Sequence, residues 1–336
     1  MDQRITVLIP NYNGANFLPD LFQSLQCQSK RDFKCIFLDD GSTDNSVEIA
    51  SGFQQSLERL EVLTLENVGI GANWNRGIEL VDTEFFSVLH CDDLYEPDYL
   101  MAMLDLMDQY PLAALGHCGA ITIDEQSRVK SSLIEDYKHQ RYLPDKAFRR
   151  NATDEFNCLL SGDFINCPSV MYRTSAVKQI GLFNVQLKQV LDWEYWFRTI
   201  LNGYEICGTN HKLYRYRRHD NNATVQNSED FARYLEELNL LRWAHQEGIN
   251  HGLVSKPLDT SIVRNIVVLD IGEALSLQNR QAASQKVGFL EEHRLAGSTV
   301  IGLLRAMVIA GRLGGVTVKS AIGLYIRLSA VIHRTG

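Results

Sequence analysis

Over the first hundred residues, short unbroken apolar runs alternate with longer stretches whose apolar positions recur every three or four residues. Ile5 to Ile9 is rich in β-branched residues and reads as a strand buried on both faces. Pro10 is expected to stop it, and Asn11–Tyr12–Asn13–Gly14 is turn chemistry. Leu18, Leu21, Phe22 and Leu25 then share one face of a helix. Cys35 to Leu38 predicts a second strand ending at Asp39–Asp40–Gly41–Ser42–Thr43–Asp44, with Ser42 or Thr43 capping the next helix. Leu60 to Leu65 predicts a third strand, closing on Glu66–Asn67–Val68–Gly69 and followed by a helix through Ile78. Phe85 to Leu89 predicts the fourth. Strands alternating with helices imply parallel pairing through right-handed crossovers, an α/β fold.

The fourth strand delivers Asp92 and Asp93 to its carboxyl end, and in open α/β sheets ligands bind beyond those ends. Adjacent carboxylates repel, so a bound cation favours their joint ionisation. The alternative is a solvated turn, where Asp is common. After the first strand stands PNYNGANF, without the GxGxxG of dinucleotide-binding domains, and no GxxxxGK[ST] occurs. Nicotinamide, flavin and P-loop chemistries are therefore not expected. What remains is a crevice lined by Pro10, Tyr12, Asp39, Asp40, Asn67, Asp92 and Asp93. An aromatic ring, an amide and a carboxylate suit a nucleobase and ribose. Paired aspartates suit a divalent cation held against a diphosphate.

Composition narrows the partners. Of 336 residues 45% are hydrophobic and 22% charged, an ordinary globular balance with a sizeable core. A net charge of −8 argues against a nucleic-acid partner. The 7 cysteines are scattered, with no CxxC pair, which suggests reduced thiols and a cytoplasmic setting. The amino terminus runs directly into a strand without a signal-peptide pattern, and no long uncharged apolar run is present.

The segments VLIPNYNGANFLPDLFQSL, FLDDGSTDNS, ENVGIGANWNRGI and LHCDDLYEPDYL, in that order, resemble the nucleotide-sugar-binding half of the family 2 glycosyltransferases. Asn166 to Met171 and Ile180 to Phe183 are similar to that family's acceptor-side strand and turn. Leu191 to Arg198 resembles its acidic helix start, and Tyr216–Arg217–Arg218–His219 its terminal YRxH element, so the likeness runs from about Ile5 to Thr224. The resemblance implies a GT-A-like Rossmann-type sandwich with a mostly parallel central sheet, and transfer of a sugar from a nucleotide-sugar donor to an acceptor hydroxyl with inversion. It implies Asp92 and Asp93 as holders of Mg²⁺ or Mn²⁺, with Asp92 also facing the donor. Asp39 would meet the base or ribose, while Asp40 is expected to cap its own turn. Asn67 and Asn75 match positions beside the donor, with ordinary turn roles as the alternative. Tyr12 would lie against the base or cover the core, and His219 is either a metal ligand or structural.

The attacking hydroxyl must lose a proton, which asks for a carboxylate on the far face of the sugar. By resemblance Asp192 is that base, with Glu194 as fallback; helix N-capping is the bland alternative. Three positions depart from the family pattern. His90 stands where the fuller acidic motif has Asp, Trp74 where a basic residue is common, and Leu191 where an acid often precedes the base. They leave open a nucleotide-sugar-binding protein without catalysis. A nucleotidyltransferase would need a Gly-rich basic loop after the first strand, and none is present.

Residues 1–228 are expected to form the glycosyltransferase domain, with 1–100 binding donor and 101–228 facing acceptor; 229–336 would be a helical extension. The stretch from about Ala113 to Phe156 carries little signal, and Glu135 to Arg150 reads as a loop or exposed helix. Phe231, Tyr234, Leu235, Leu238 and Leu241 recur at helical spacing, with helices continuing through Leu295. Beyond it stand Arg305, Arg312, Lys319, Arg327 and Arg334 among apolar residues and no acids, with Gly314–Gly315 able to break a helix. Such a tail fits an anionic membrane surface at the inner face of the cell membrane, near a lipid-linked acceptor. Its alternative is a packing or homo-oligomerisation element.

Overall fold

The first apolar run, β1 (Ile5–Asn11), is buried along its whole length. It pairs in parallel with β2 (Lys34–Asp39) on one side and β4 (Phe85–Val88) on the other. β3 (Leu60–Thr64) extends the sheet beyond β2, again in parallel. The helices between these strands are α1 (Leu18–Gln26), α2 (Ser46–Gly52) and α3 (Ile70–Glu79). On α1 the buried residues are Leu18, Leu21, Phe22 and Leu25, the face expected from the spacing. Each such side chain contributes about 1.5–3 kcal/mol by leaving water. The computed structural model describes residues 3–219, 231–276 and 278–310.

The second half adds β5 (Leu94–Tyr95), α4 (Tyr99–Gln109), β6 (Ala113–Ile123), α5 (Leu133–Tyr142), β7 (Phe148–Arg149) and α6 (Ala152–Leu160). A 3-10 turn at Cys167–Ser169 follows, then β8 (Val170–Arg173), α7 (Thr174–Ile180), α8 (Leu191–Leu201) and β9 (Glu205–Arg217). Among the described residues these strands form one sheet of order β3-β2-β1-β4-β8-β6-β9-β5, with β7 on β9. β8 runs antiparallel to both β4 and β6, whereas β6 and β9 are parallel over a long ladder. The sheet is thus mixed and mostly parallel, an α/β fold as the alternation required. A compact unit comprises residues 1–236 and 243–255.

The details differ from expectation in three places. Pro10 does not end β1, which continues to Asn11. Asn11 bonds toward β2 through its carbonyl, so the neighbouring Pro10 faces the β4 side, where the ladder ends at Leu8 and Val88. A missing N–H there breaks no ladder bond. α2 starts at Ser46, not at Ser42 or Thr43, and Asp44 Oδ1 accepts from the Ser46 N–H at 3.0 Å. The low-signal stretch contains β6, 11 residues long and almost wholly buried. Its run AALGHCGAITI interleaves glycines and His117 with apolar residues, which dilutes the strand pattern.

The carboxy-terminal helices are α9 (Ala232–Asn250), α10 (Ser261–Ser276), α11 (Arg280–Glu292) and α12 (Ser298–Ala310). Tyr234, Leu238 and Leu241 of α9 are buried as their spacing implied, while Leu235 is exposed. The second compact unit comprises residues 237–242 and 256–336. On α12, Ile301 and Leu304 point inward, whereas Leu303 and Ile309 are exposed. No helix among the described residues is long and apolar enough to cross a membrane. Arg312, Lys319, Arg327 and Arg334 of the basic tail lie outside the described residues.

Candidate functional site

The parallel register brings the carboxyl ends of β1 and β2 level, with Asn11 opposite Asp39. Asn11 Nδ2 donates to Asp39 Oδ1 at 2.9 Å, and Ser42 donates its N–H to Asp39 Oδ2 at 2.9 Å. The Ser42 hydroxyl adds a third bond, at 2.5 Å to Asp39 Oδ1. Asp39, fully buried, therefore organises the DGSTD turn, the role expected of Asp40. Asp40 instead accepts from the Val68 and Gly69 N–H groups, each at 2.9 Å, and ties down the loop before α3. Strand geometry explains the exchange: neighbouring residues point to opposite sides, so one carboxylate turns back on its own loop and the other crosses to the next. Gly41 has φ +75°, and a Cβ there would meet the Asn67 backbone nitrogen at 3.3 Å. That glycine lets the two loops approach.

Around this base, Pro10 is buried in β1 while Tyr12 and Asn67 stand at the exposed rim. Tyr12 is 54% exposed, so its ring does not cover the core. Asn75 is placed differently. Its Nδ2 donates to the Phe183 carbonyl at 2.9 Å, and its Oδ1 accepts from the Phe183 N–H at 3.0 Å. The amide thus clamps α3 to the segment leading into α8.

The loop after β4 brings His90, Asp92 and Asp93 together, with one candidate ligand atom from each lying within 4.8 Å of the others. The two aspartates are not equivalent. Asp93 is buried and accepts from the Tyr214 hydroxyl at 2.5 Å and from the Arg217 N–H at 2.8 Å. Burial and the neighbouring Asp92 charge push its carboxyl well above the usual range despite those bonds. Asp92 is partly exposed, and His219 Nε2 lies 3.0 Å from its Oδ2. Burial opposes its ionisation, but the bond from His219 and the nearby His90 outweigh it and hold Asp92 below the usual carboxylate range. His90 Nε2 is buried with no hydrogen-bond partner among the described residues. The other ring nitrogen, Nδ1, lies 4.0 Å from Asp93 Oδ2, and an imidazole grouped with two carboxylates fits a divalent cation of the Mn²⁺ kind better than Mg²⁺.

Residues from distant elements brace this loop. Arg217, fully buried, donates Nε to the Asp92 carbonyl at 2.7 Å and lies 5.1 Å from the Phe17 ring centroid. Phe17 in turn packs on His219, with ring centroids 4.8 Å apart. Trp74 stacks on His90 at 5.1 Å and meets Phe183 edge-on. Two of the three departures from the family pattern are thus one contact in space.

Asp192 lies in the first turn of α8, whose N-cap is Val190, so it is not the cap itself. Its Oδ1 accepts from the Trp193 N–H at 2.8 Å. Burial raises its carboxyl to about 6, against the backbone bonds and Lys138, which work the other way. Glu194, the fallback, is engaged by Arg198 at 2.9 Å, and that guanidinium also donates to the Ile180 and Leu182 carbonyls.

A mixed sheet of this order with acidic residues gathered at the strand ends defines an α/β protein with its polar site at the carboxyl edge of the sheet. Residues 6–181 match the family model described as glycosyl transferase family 2, which is more than half of the chain, and the chain belongs to that family. An uncharacterized glycosyltransferase of Rickettsia typhi is 28% identical over 221 residues, 66% of this chain and 65% of that protein. The chain therefore spans just under two thirds of that relative's length. TuaG of Bacillus subtilis, named for teichuronic acid biosynthesis, is 26% identical over 215 residues, 63% of this chain and 78% of its own. Among solved structures, S. aureus TarS 1–349 in complex with UDP-GlcNAc shares the fold, with TM-score 0.58 and 18% identity over 95% of this chain and 91% of that one. The likeness supports a GT-A-like fold. Asp192 and His219 lie beyond the residues the family model matches.

Proposed function

We propose that the chain is an inverting glycosyltransferase that moves a sugar, of hexose type, from a nucleotide-sugar donor to the hydroxyl of a saccharide or lipid-linked acceptor. Surface polysaccharide or glycolipid synthesis is the proposed setting, on the strength of relatives such as TuaG. The work would take place in the cytoplasm at the inner face of the membrane. The observation that carries the reading is Asp192: a carboxylate at a helix start whose burial raises it to about 6. A base tuned toward neutrality takes a proton from a hydroxyl better than an ordinary aspartate does.

In this reading Tyr12 and Asn67 receive the nucleobase and ribose at the rim, over the Asp39 turn. Asp92 and His90 would hold the cation, which when bound offsets the charge of the departing nucleoside diphosphate. His219 orients Asp92, and Asp93 fixes the loop through Tyr214 and Arg217. Asp192 takes the acceptor proton as one in-line displacement proceeds. The apolar and basic residues beyond Leu295 are proposed to rest on an anionic membrane surface.

The test is a thermal-shift panel of UDP-, GDP-, dTDP- and CMP-sugars with Mn²⁺, Mg²⁺ or chelator. One nucleotide class should raise the melting temperature in a metal-dependent way. No shift with any donor would overturn the reading, and donor binding without turnover would favour the non-catalytic alternative.

A further inference from the structure

Asn73, Trp74 and Asn75 are consecutive on α3, and each reaches a different part of the fold. Asn73 is buried and donates Nδ2 to the Leu38 carbonyl at 3.0 Å, tying the helix to β2. Asn75 is bonded in both directions to the Phe183 backbone. Further along, Gly77 sits so close to the sheet that an added Cβ would meet Leu38 Cδ1 at 2.4 Å. The helix is therefore held against the sheet both before and after Trp74.

The buried Trp74 ring stacks on His90, with centroids 5.1 Å apart and planes at 29°. The Phe183 ring meets the same indole edge-on, at 5.4 Å and 79°. Asn75 clamps the backbone of that phenylalanine, so the indole is backed by a residue that is itself fixed. His90, by contrast, stands on the loop after β4 with 32% of its side chain exposed. Its Nε2 is buried and unpartnered among the described residues, and its Nδ1 lies 4.0 Å from Asp93 Oδ2, beyond hydrogen-bond reach. The plane of the imidazole is thus set by the indole it lies on.

We propose that Trp74 is a positioning residue for His90: it holds the ring with Nδ1 toward the carboxylates and so tilts the site toward cations that accept an imidazole. The inference rests on the reading that His90 and Asp92 hold the cation. A side chain ordered before the ion arrives removes part of the ordering cost from binding. The stack acts on the nitrogen ligand alone. It therefore favours Mn²⁺, which takes imidazole, and does little for Mg²⁺, which prefers oxygen. A tryptophan that merely filled the core would make no such distinction between the two ions.

The test is metal binding to the full chain, with free Mn²⁺ read by electron paramagnetic resonance and Mg²⁺ by its displacement of Mn²⁺. Trp74→Leu stays apolar but gives His90 no ring to lie on. It should weaken Mn²⁺ binding about ten-fold, the lower end for losing a partner that orients a metal ligand, and leave Mg²⁺ binding unchanged. Trp74→Phe keeps an aromatic face and should stay close to wild type. In a His90→Ala background, Trp74→Leu should cost Mn²⁺ binding nothing more, because the effect runs through that ring. The same titration has an optical readout. Paramagnetic Mn²⁺ on His90 lies beside the indole and should quench Trp74 emission, a signal present in wild type and missing from Trp74→Phe. If Trp74→Leu fails to fold, this quenching decides the matter. Equal losses of Mn²⁺ and Mg²⁺ in Trp74→Leu, additive losses with His90→Ala, or bound Mn²⁺ that leaves Trp74 emission unquenched overturns the inference. The cation reading is checked separately: Mn²⁺ binding that survives both Asp92→Asn and His90→Ala removes it. Binding lost in Asp92→Asn but unmoved in Trp74→Leu leaves that reading in place and sinks the role of Trp74 alone.

Discussion

His219 Nε2 lies 3.0 Å from Asp92 Oδ2, although 127 positions separate the two residues. Phe17 packs on the His219 ring and Arg217 donates to the Asp92 carbonyl, so both side chain and backbone of Asp92 are fixed from the end of β9. Partners that orient a metal ligand typically change metal affinity 10- to 100-fold when removed. His219→Ala should therefore weaken Mn²⁺ binding by roughly ten-fold or more, measured as free Mn²⁺ by electron paramagnetic resonance. Unchanged binding would mean that Asp92 does not depend on this contact.

The two neighbouring aspartates should separate cleanly on substitution. Asp92→Asn is expected to abolish metal-dependent donor binding with little effect on folding. Asp93→Asn keeps an acceptor for the Arg217 N–H, and the Tyr214 hydroxyl can accept from the new amide. This variant should fold and still bind the metal, as judged by calorimetric titration with Mn²⁺. The reverse pattern would place the ligand at Asp93.

Asp192→Asn should lower transfer by about 10²- to 10⁴-fold, the usual contribution of a positioned base. Its stability effect has a definite sign. The folded-state value of about 6 lies above the ordinary 3.8 of an aspartate, so the native state prefers the protonated form. Stability from that preference is complete below about pH 4 and is lost as pH rises through about 6. The amide removes this loss, so the variant should melt higher than wild type at pH 8 and show no such gain at pH 4. In the wild type, transfer should rise with pH through about 6 and then level off.

Asn75→Ala tests the clamp on Phe183. Losing both bonds should destabilise the protein by about 1–2 kcal/mol in chemical denaturation. If Asn75 served the donor directly, affinity would fall while stability stayed the same.

For the carboxy-terminal region, the full chain should sediment with anionic phospholipid vesicles, and a version lacking residues 296–336 should not. Neutral vesicles should capture neither. Equal sedimentation of the two chains would assign the tail to packing or oligomerisation.

The sequence by itself determined the order of strands and helices in the first hundred residues, because burial on both faces of a parallel strand leaves an unbroken apolar run. It also determined the family, since the loops at strand ends carry their chemistry in contiguous motifs such as HCDD and DDGSTD. Position within those motifs did not reveal function residue by residue. Asp39 and Asp40 are adjacent, yet which one braces its own turn depends on the side of the strand each occupies. Asp92 and Asp93 look alike, yet Tyr214 and Arg217 occupy one and His219 the other. The stacking of Trp74 on His90 and the clamp of Asn75 on Phe183 were settled by tertiary structure alone. Each joins residues from separate elements, and no local periodicity records a contact made by packing one element across another.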